Sequence, residues 1–221
     1  MSTLFVTGTD TNVGKTFVSC ALIHALRARG RGVAVMKPVE TGVRDIPEDA
    51  VALRAAAGDA APLDVVCPVQ LRAPLAPSVA ARLEGRTIDP EALARLVDER
   101  RAAADVLVVE GAGGLLVPIA GRFTFADLAR RCRLPLLLVA ANRLGTVNHA
   151  ALTARVAASY GLDVRGFVLS RPAAETDESA ASNAGEIVSL TGLRCLGVLP
   201  HLAHWADGAS LLDLDPLDPA V

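Results

Sequence analysis

Residues 8–16 read Gly-Thr-Asp-Thr-Asn-Val-Gly-Lys-Thr and directly follow the apolar run Leu4-Phe5-Val6. A glycine-rich turn between a strand and a helix points successive backbone N–H groups at one spot. The positive end of the helix dipole adds to them, so the segment reads as an anion cradle. In that setting Lys15 reaches the β- and γ-phosphates of a nucleotide, and the Thr16 hydroxyl holds Mg²⁺. Five residues separate Gly8 from Gly14, one more than the usual phosphate loop has.

Two charged residues stand where apolar runs stop. Glu110 closes Asp105-Val106-Leu107-Val108-Val109 and is followed by Gly-Ala-Gly-Gly. A carboxylate there, beside a phosphate loop, suits the Mg²⁺ of a bound nucleotide; a solvated strand-end acid is the plainer alternative. Lys37 follows Val33-Ala34-Val35-Met36 and is locked by Pro38, with Thr41-Gly42 close behind. Near a nucleotide it can neutralise a developing anion; taken alone, such a residue is more often a surface lysine. Asp49 opens a helix, where compensation of the helix dipole accounts for it without metal.

These residues need elements to hold them. After the loop, Val18, Ala21, Leu22, Ala25 and Leu26 recur at helical spacing, and Gly30 and Gly32 close that helix. Further helices are expected over 48–57, over 90–104 with Asp89 as N-cap, over 147–159 and over 186–190. Strands are expected at 33–36, 105–110, 136–140, 166–169 and 195–199, with an irregular proline-rich stretch from Pro62 to Pro77. Continuous apolar strands alternating with helices predict an α/β fold: a single doubly wound parallel sheet with helices on both faces, like that of P-loop nucleotide hydrolases. In such sheets ligands bind beyond the carboxyl ends of the strands, where the phosphate loop, Lys37 and Glu110 all fall.

The whole chain sets limits. Its 221 residues, 52% hydrophobic and 21% charged, suit one domain spanning 1–221. A net charge of −2 makes no electrostatic case for nucleic acid or an anionic membrane. With no signal segment and no apolar run of spanning length, the expected location is cytoplasmic. Cys20, Cys67, Cys132 and Cys195 lie far apart without metal-ligand spacing, so neither zinc nor a disulfide framework is expected. The tail 207–221 holds four aspartates and no basic residue and reads as loosely held.

Four ordered blocks carry a resemblance. Val6-Thr7-Gly8-Thr9-Asp10-Thr11 with Val13-Gly14-Lys15-Thr16, Lys37-Pro38-Val39 with Thr41-Gly42, Val109-Glu110-Gly111-Ala112-Gly113-Gly114, and Leu144-Gly145 with Asn148-His149 resemble the dethiobiotin synthetases in order and spacing. The similarity runs from residue 3 to about 202 and is weakest from about 171 to 195. It implies a cytoplasmic ligase that closes a cyclic urea from 7,8-diaminopelargonate and CO₂ with ATP and Mg²⁺, through a carbamate and a carbamic–phosphoric anhydride. By the resemblance, Lys15 and Lys37 are catalytic, and Thr16, Asp49 and Glu110 hold Mg²⁺. Residues Asn12, Val13, Gly14, Lys15, Thr16 and Phe17, with Asp49 and Glu110, grip the nucleotide. Backbone groups of Gly111, Ala112 and Gly113 line its phosphates and the substrate, and Ser170, Arg171, Pro200, His201 and Leu202 lie along its base. Thr41 contacts the diamine or its carbamate, while Gly145 and Asn148 bind the distal carboxylate across a homodimer interface. Asn12 stands where the family often has glutamate. Ser170-Arg171 stands where many members have Asn-Asp, and a serine hydroxyl cannot pair with adenine through two bonds.

Two other readings compete. A partitioning-type P-loop ATPase acting as a nucleotide switch shares this fold, but it usually carries an extra lysine early in the loop, where Thr9 and Asp10 stand here. An amide ligase of the cobyrinate type needs a further glutamine-hydrolysing domain, for which 221 residues leave no room.

Overall fold

Alternation along the buried strands decides which side chain joins which face of the sheet. Leu4 and Val6, Val106 and Val108, Leu137 and Val139, and Val168 pack on one face, under α1 (Lys15–Ala28) and α2 (Glu48–Ala57). Their neighbours Phe5, Leu107, Val109 and Leu136 turn to the other face.

The computed structural model describes residues 2–175 and 177–217. Around α1 and α2, the chain order is β1 (Ser2–Gly8), β2 (Val33–Met36), β3 (Val39–Thr41), α3 (Leu63–Val66), β4 (Val69–Leu71), α4 (Pro77–Leu83), α5 (Pro90–Arg101) and β5 (Val106–Gly114). Then come β6 (Pro118–Ala120), β7 (Phe123–Thr124), α6 (Phe125–Arg131), β8 (Leu136–Ala141), α7 (Thr146–Ser159), β9 (Val164–Ser170), α8 (Asn183–Thr191) and β10 (Cys195–Leu199). The central sheet is six-stranded and parallel, in the order β10-β9-β8-β1-β5-β2. Helices cover both faces, as expected from the sequence. Strands β5 and β2 lie to one side of β1, and β8, β9 and β10 to the other. The carboxyl end of β1 is therefore the switch point at which doubly wound sheets bind ligands.

The departures from expectation are local. The stretch 62–77 is more regular than its prolines suggest. Pro62 precedes a helical turn, β4 pairs in parallel with β3, and Pro77 opens α4, where its missing N–H costs nothing. Helix α5 stops at Arg101, three residues short of 104, with Asp89 capping it by accepting from the Glu91 N–H at 2.9 Å. Strand β5 continues past Glu110 to Gly114, which pairs with Gly8. The segment 118–131 forms a small hairpin and α6, opened by a reciprocal cap between Thr124 and Asp127. The tail is not loosely held where it is described. Residues Trp205–Leu211 form a 3₁₀ helix, and Leu214 and Leu217 are buried among the α1 side chains despite their acidic neighbours. The rest of the tail, 218–221, lies outside the described residues.

Candidate functional site

Strand parity delivers the two central charges. Glu110 has the parity of Val106 and Val108, and Lys37 that of Val33 and Val35, so both turn to the face under α1 and α2. Their side chains meet where both strands end. Lys37 Nζ donates to Glu110 Oε1 at 2.6 Å and to Asp49 Oδ2 at 2.7 Å, with the Gly111 carbonyl at 3.3 Å. Asp49 arrives from the first turn of α2. Thr16, from the first turn of α1, donates its hydroxyl toward both Asp49 Oδ1 and Glu110 Oε1 at 2.9 Å. Ser19, one turn further, donates to Glu110 Oε2 at 2.6 Å. Glu110 is fully buried and Lys37 is 2% exposed, whereas the Asp49 side chain is 42% exposed.

The electrostatics follow from this packing. Burial works against the Lys37 charge, but Glu110 and Asp49 outweigh it and hold the ammonium above its usual range. Burial opposes the Asp49 charge too, yet the Lys37 charge and the bonds from Lys37 and Thr16 keep its carboxyl below the ordinary value. Lys15 is moved the other way: burial first, then the Lys37 charge, lowers it. Its Nζ folds back onto the Asp10 carbonyl at 3.0 Å. An anion in the loop would reverse that penalty.

The loop needs its glycines. Gly14 has φ +86°, and a Cβ there would stand 2.5 Å from Ser170 Oγ. A Cβ on Gly8 would stand 2.7 Å from the Asp10 carbonyl oxygen and 3.0 Å from Lys15 Nζ. Thr11, Asn12, Gly14, Lys15, Thr16 and Phe17 then form one wall of a cavity of about 760 Å³. Lys37, Glu40, Thr41, Asp49, Ala112, Gly113, Val117 and the Pro74–Pro77 turn complete it.

Other expected residues lie elsewhere. Val13 is buried in the core, 2% exposed, and supports the loop from beneath. Ser170 is 3% exposed and sits against Gly14. The Arg171 guanidinium turns back to the Glu175 carbonyl at 2.7 Å. Pro200 and His201 are exposed and Leu202 half-buried just after β10. Gly145 is the N-cap of α7, and Asn148 lies exposed in its first turn; neither lines the cavity of its own chain. The preceding loop is fastened by Asp177, whose Oδ2 accepts from the Leu144 N–H at 2.7 Å. Beside them the Thr146 hydroxyl is buried with no hydrogen-bond partner among the described residues.

Sequence reasoning missed two contributors. Ser19 is three residues after Thr16, one turn along the same helix face, which is a usable signal. Glu40 is 7% exposed on β3, lines the cavity and accepts from the Asp49 and Ala50 N–H groups, both at 3.0 Å. Burial pushes its carboxyl up from the ordinary value.

Two carboxylates and a hydroxyl converge here, all hard oxygen donors. No group of three or more His, Cys, Asp or Glu side chains placed to hold a metal ion by themselves occurs among the described residues. Such a set suits Mg²⁺ shared with phosphate oxygens and water rather than a metal caged by protein.

Known proteins bear on this arrangement. A family described as an AAA domain matches residues 2–207. The chain is 51% identical over 204 residues to the ATP-dependent dethiobiotin synthetase BioD of Anaeromyxobacter dehalogenans, covering 90% of each. It is 44% identical over 210 residues to that of Aromatoleum aromaticum, again covering 90% of each. For that of Akkermansia muciniphila the identity is 40% over 217 residues, covering 98% of each. Among solved structures, a chain of the MinC:MinD cell division protein complex of Aquifex aeolicus superposes with a TM-score of 0.55 at 17% identity. That match covers 92% of this chain and 83% of the other, and it shows a shared fold alone. No helix among the described residues is long and apolar enough to cross a membrane.

Proposed function

The chain belongs to the ATP-dependent dethiobiotin synthetases and is an ATP-dependent ligase of biotin synthesis; on that basis we propose how its own residues close the ureido ring. The observation that carries the proposal is the meeting of Lys37, Thr16 and Asp49 beside Lys15 at one end of the cavity, over the buried Glu110 that Lys37 and Thr16 both reach.

One amine of 7,8-diaminopelargonate takes up CO₂, forming a C–N bond and releasing a proton. Thr41 and the backbone from Gly111 to Gly113 hold the resulting carbamate in the cavity. A carbamate oxygen then attacks the γ-phosphorus, and the bond to the ADP oxygen breaks. The second amine attacks the carbonyl carbon of the mixed anhydride, the C–O bond to phosphate breaks, the nitrogen's proton leaves with the phosphate, and the ring closes. No side chain has to form a covalent bond, because the substrate supplies both nucleophiles. The enzyme's task is to bring a carbamate against a triphosphate, two anions that repel. Positioning and fixed positive charge are the means. Lys37 and Lys15 supply that charge from a buried setting, where it is least screened. When bound, Mg²⁺ adds charge on the phosphate oxygens, and Thr16, Asp49 and Glu110 would hold it.

We further propose a homodimer in which the start of α7 serves the neighbouring chain's cavity. Two observations support this. Gly145 and Asn148 do not line their own cavity, yet α7 offers free N–H groups suited to a carboxylate. Leu144, one residue before the Gly145 cap of α7, stands 81% exposed, and Leu116 and Leu152, 50% and 53% exposed, line one hollow, apolar side chains that a partner chain would cover. The experiment is an assay with diaminopelargonate, bicarbonate and MgATP, following dethiobiotin by mass. Product that needs all three components supports the reading; ATP hydrolysis indifferent to the diamine contradicts it and favours a nucleotide switch.

A further inference from the structure

Glu40 is a buried carboxylate to which the scheme above gives no task. Its two oxygens span consecutive backbone donors: Oε1 accepts from the Asp49 N–H and Oε2 from the Ala50 N–H, each at 3.0 Å. These are the second and third residues of α2, the positions that an N-cap side chain normally serves. The local cap is Pro47, which makes no side-chain bond. The acceptor comes instead from β3, three residues beyond Lys37. A cap needed only for helix stability can be provided by a serine at the N-cap itself, without burying a charge. The remote carboxylate does something a local cap cannot: it ties the peptide bearing Asp49 to the segment bearing Lys37. The Asp49 side chain, 42% exposed, is thereby held on the near side of the cavity, where it meets both Thr16 and Lys37.

We propose that Glu40 is a positioning residue that sets the place of the Asp49 carboxylate, and through it the affinity of the site for Mg²⁺ and the nucleotide phosphates. This rests on the reading of Thr16, Asp49 and Glu110 as the Mg²⁺ oxygens. Partners of metal-binding groups usually contribute ten- to a hundredfold in affinity, so Glu40→Ala should raise the Mg²⁺ half-saturation by on the order of tenfold or more.

The test measures Mg²⁺-dependent binding of a non-hydrolysable ATP analogue by calorimetry, with melting temperature and an Mg²⁺ titration of turnover alongside. It compares the parent protein, Glu40→Ala, Glu40→Gln and each variant combined with Pro47→Ser. The expected result is a weaker Mg²⁺ response in both variants, with turnover at saturating Mg²⁺ less affected. Pro47→Ser should restore the melting temperature but not the Mg²⁺ response, because a serine hydroxyl at the N-cap would cap α2 without tying it to β3. Should Glu40→Ala fail to fold, Glu40→Gln, which keeps one acceptor oxygen, answers the same question. An Mg²⁺ midpoint equal to the parent's, or one restored by Pro47→Ser, overturns the proposal and leaves Glu40 a helix cap. A parent protein whose analogue binding ignores Mg²⁺ overturns the metal reading itself, a different failure seen in a different sample.

Discussion

Lys37→Ala separates what this lysine does for stability from what it does for chemistry. Its ammonium is 2% exposed and lies 2.6 Å from Glu110, which is fully buried. Removing one partner of a buried pair leaves the other charge without its counterion, at a cost of about 3–5 kcal/mol. The Asp49 side chain is 42% exposed, so water screens its share, and the Thr16 and Ser19 hydroxyls still donate to Glu110. The lower end, roughly 3 kcal/mol, is therefore expected. At about 2–4 °C per kcal/mol for a chain of this size, the melting temperature should fall by roughly 6–12 °C. Turnover should fall further, on the order of 10²-fold or more, because a preorganised charge facing the transferring phosphoryl group is gone. The double variant Lys37→Ala/Glu110→Gln replaces the stranded carboxylate by an amide of the same size. It should regain most of the melting temperature and none of the turnover. Calorimetric melting and dethiobiotin formation at saturating Mg²⁺ read the two effects. Unchanged melting in Lys37→Ala would refute the buried-pair argument. Turnover that recovers together with stability in the double variant would make Lys37 a structural residue.

Three further outcomes are expected. Because Ser170 is buried against Gly14 and offers no two-bond contact to adenine, CTP, GTP and UTP should support turnover within about tenfold of ATP; a preference for ATP of several hundredfold, measured as kcat/KM, would remove the argument. Mixing Lys37→Ala with Asn148→Ala chains should restore part of the activity, since one site in each mixed dimer carries neither defect; a fully active monomer in sedimentation contradicts this. Asp177 accepts from Ser179 Oγ and from the Ser179 and Leu144 N–H groups, bonds that hold its carboxyl below the ordinary value. Its folded value being the lower one, its stabilisation is present above the unfolded value of about 3.9 and is lost as pH falls through the folded value. Asp177→Asn should flatten the loss of stability below about pH 4 and raise the KM for the diamine with little change in kcat. Denaturation curves with the same pH slope in both proteins would count against it.

Much of the site was legible because long buried strands obey parity and end at a common edge. Lys37 and Glu110 announced themselves as charges at the ends of apolar runs, and the glycine turn before Lys15 marked the place proposed for the nucleotide. The unread parts are those where partners distant in sequence override local pattern. Glu40 lies in a three-residue strand too short for periodicity, and its two donors are on α2. The prolines from 62 to 77 suggested irregularity because proline forbids helix interiors, yet Pro77 stands at a helix start, where it is tolerated. The acidic composition of the tail concealed Leu214 and Leu217, which find the flank of α1. Ser170 was assigned to the base by its position in the family pattern; its contact with Gly14 of the phosphate loop is a packing detail that local sequence does not show.

In the proposed reaction a carbamate oxygen meets the γ-phosphate beside Lys37. The direct measurement is a single turnover with ¹⁸O-labelled bicarbonate in ordinary water, quenched before the label washes out, with the released phosphate analysed by mass. One ¹⁸O should be transferred into phosphate for each dethiobiotin formed. Unlabelled phosphate accompanying labelled dethiobiotin would contradict it, since the γ-phosphate would then have been taken by water.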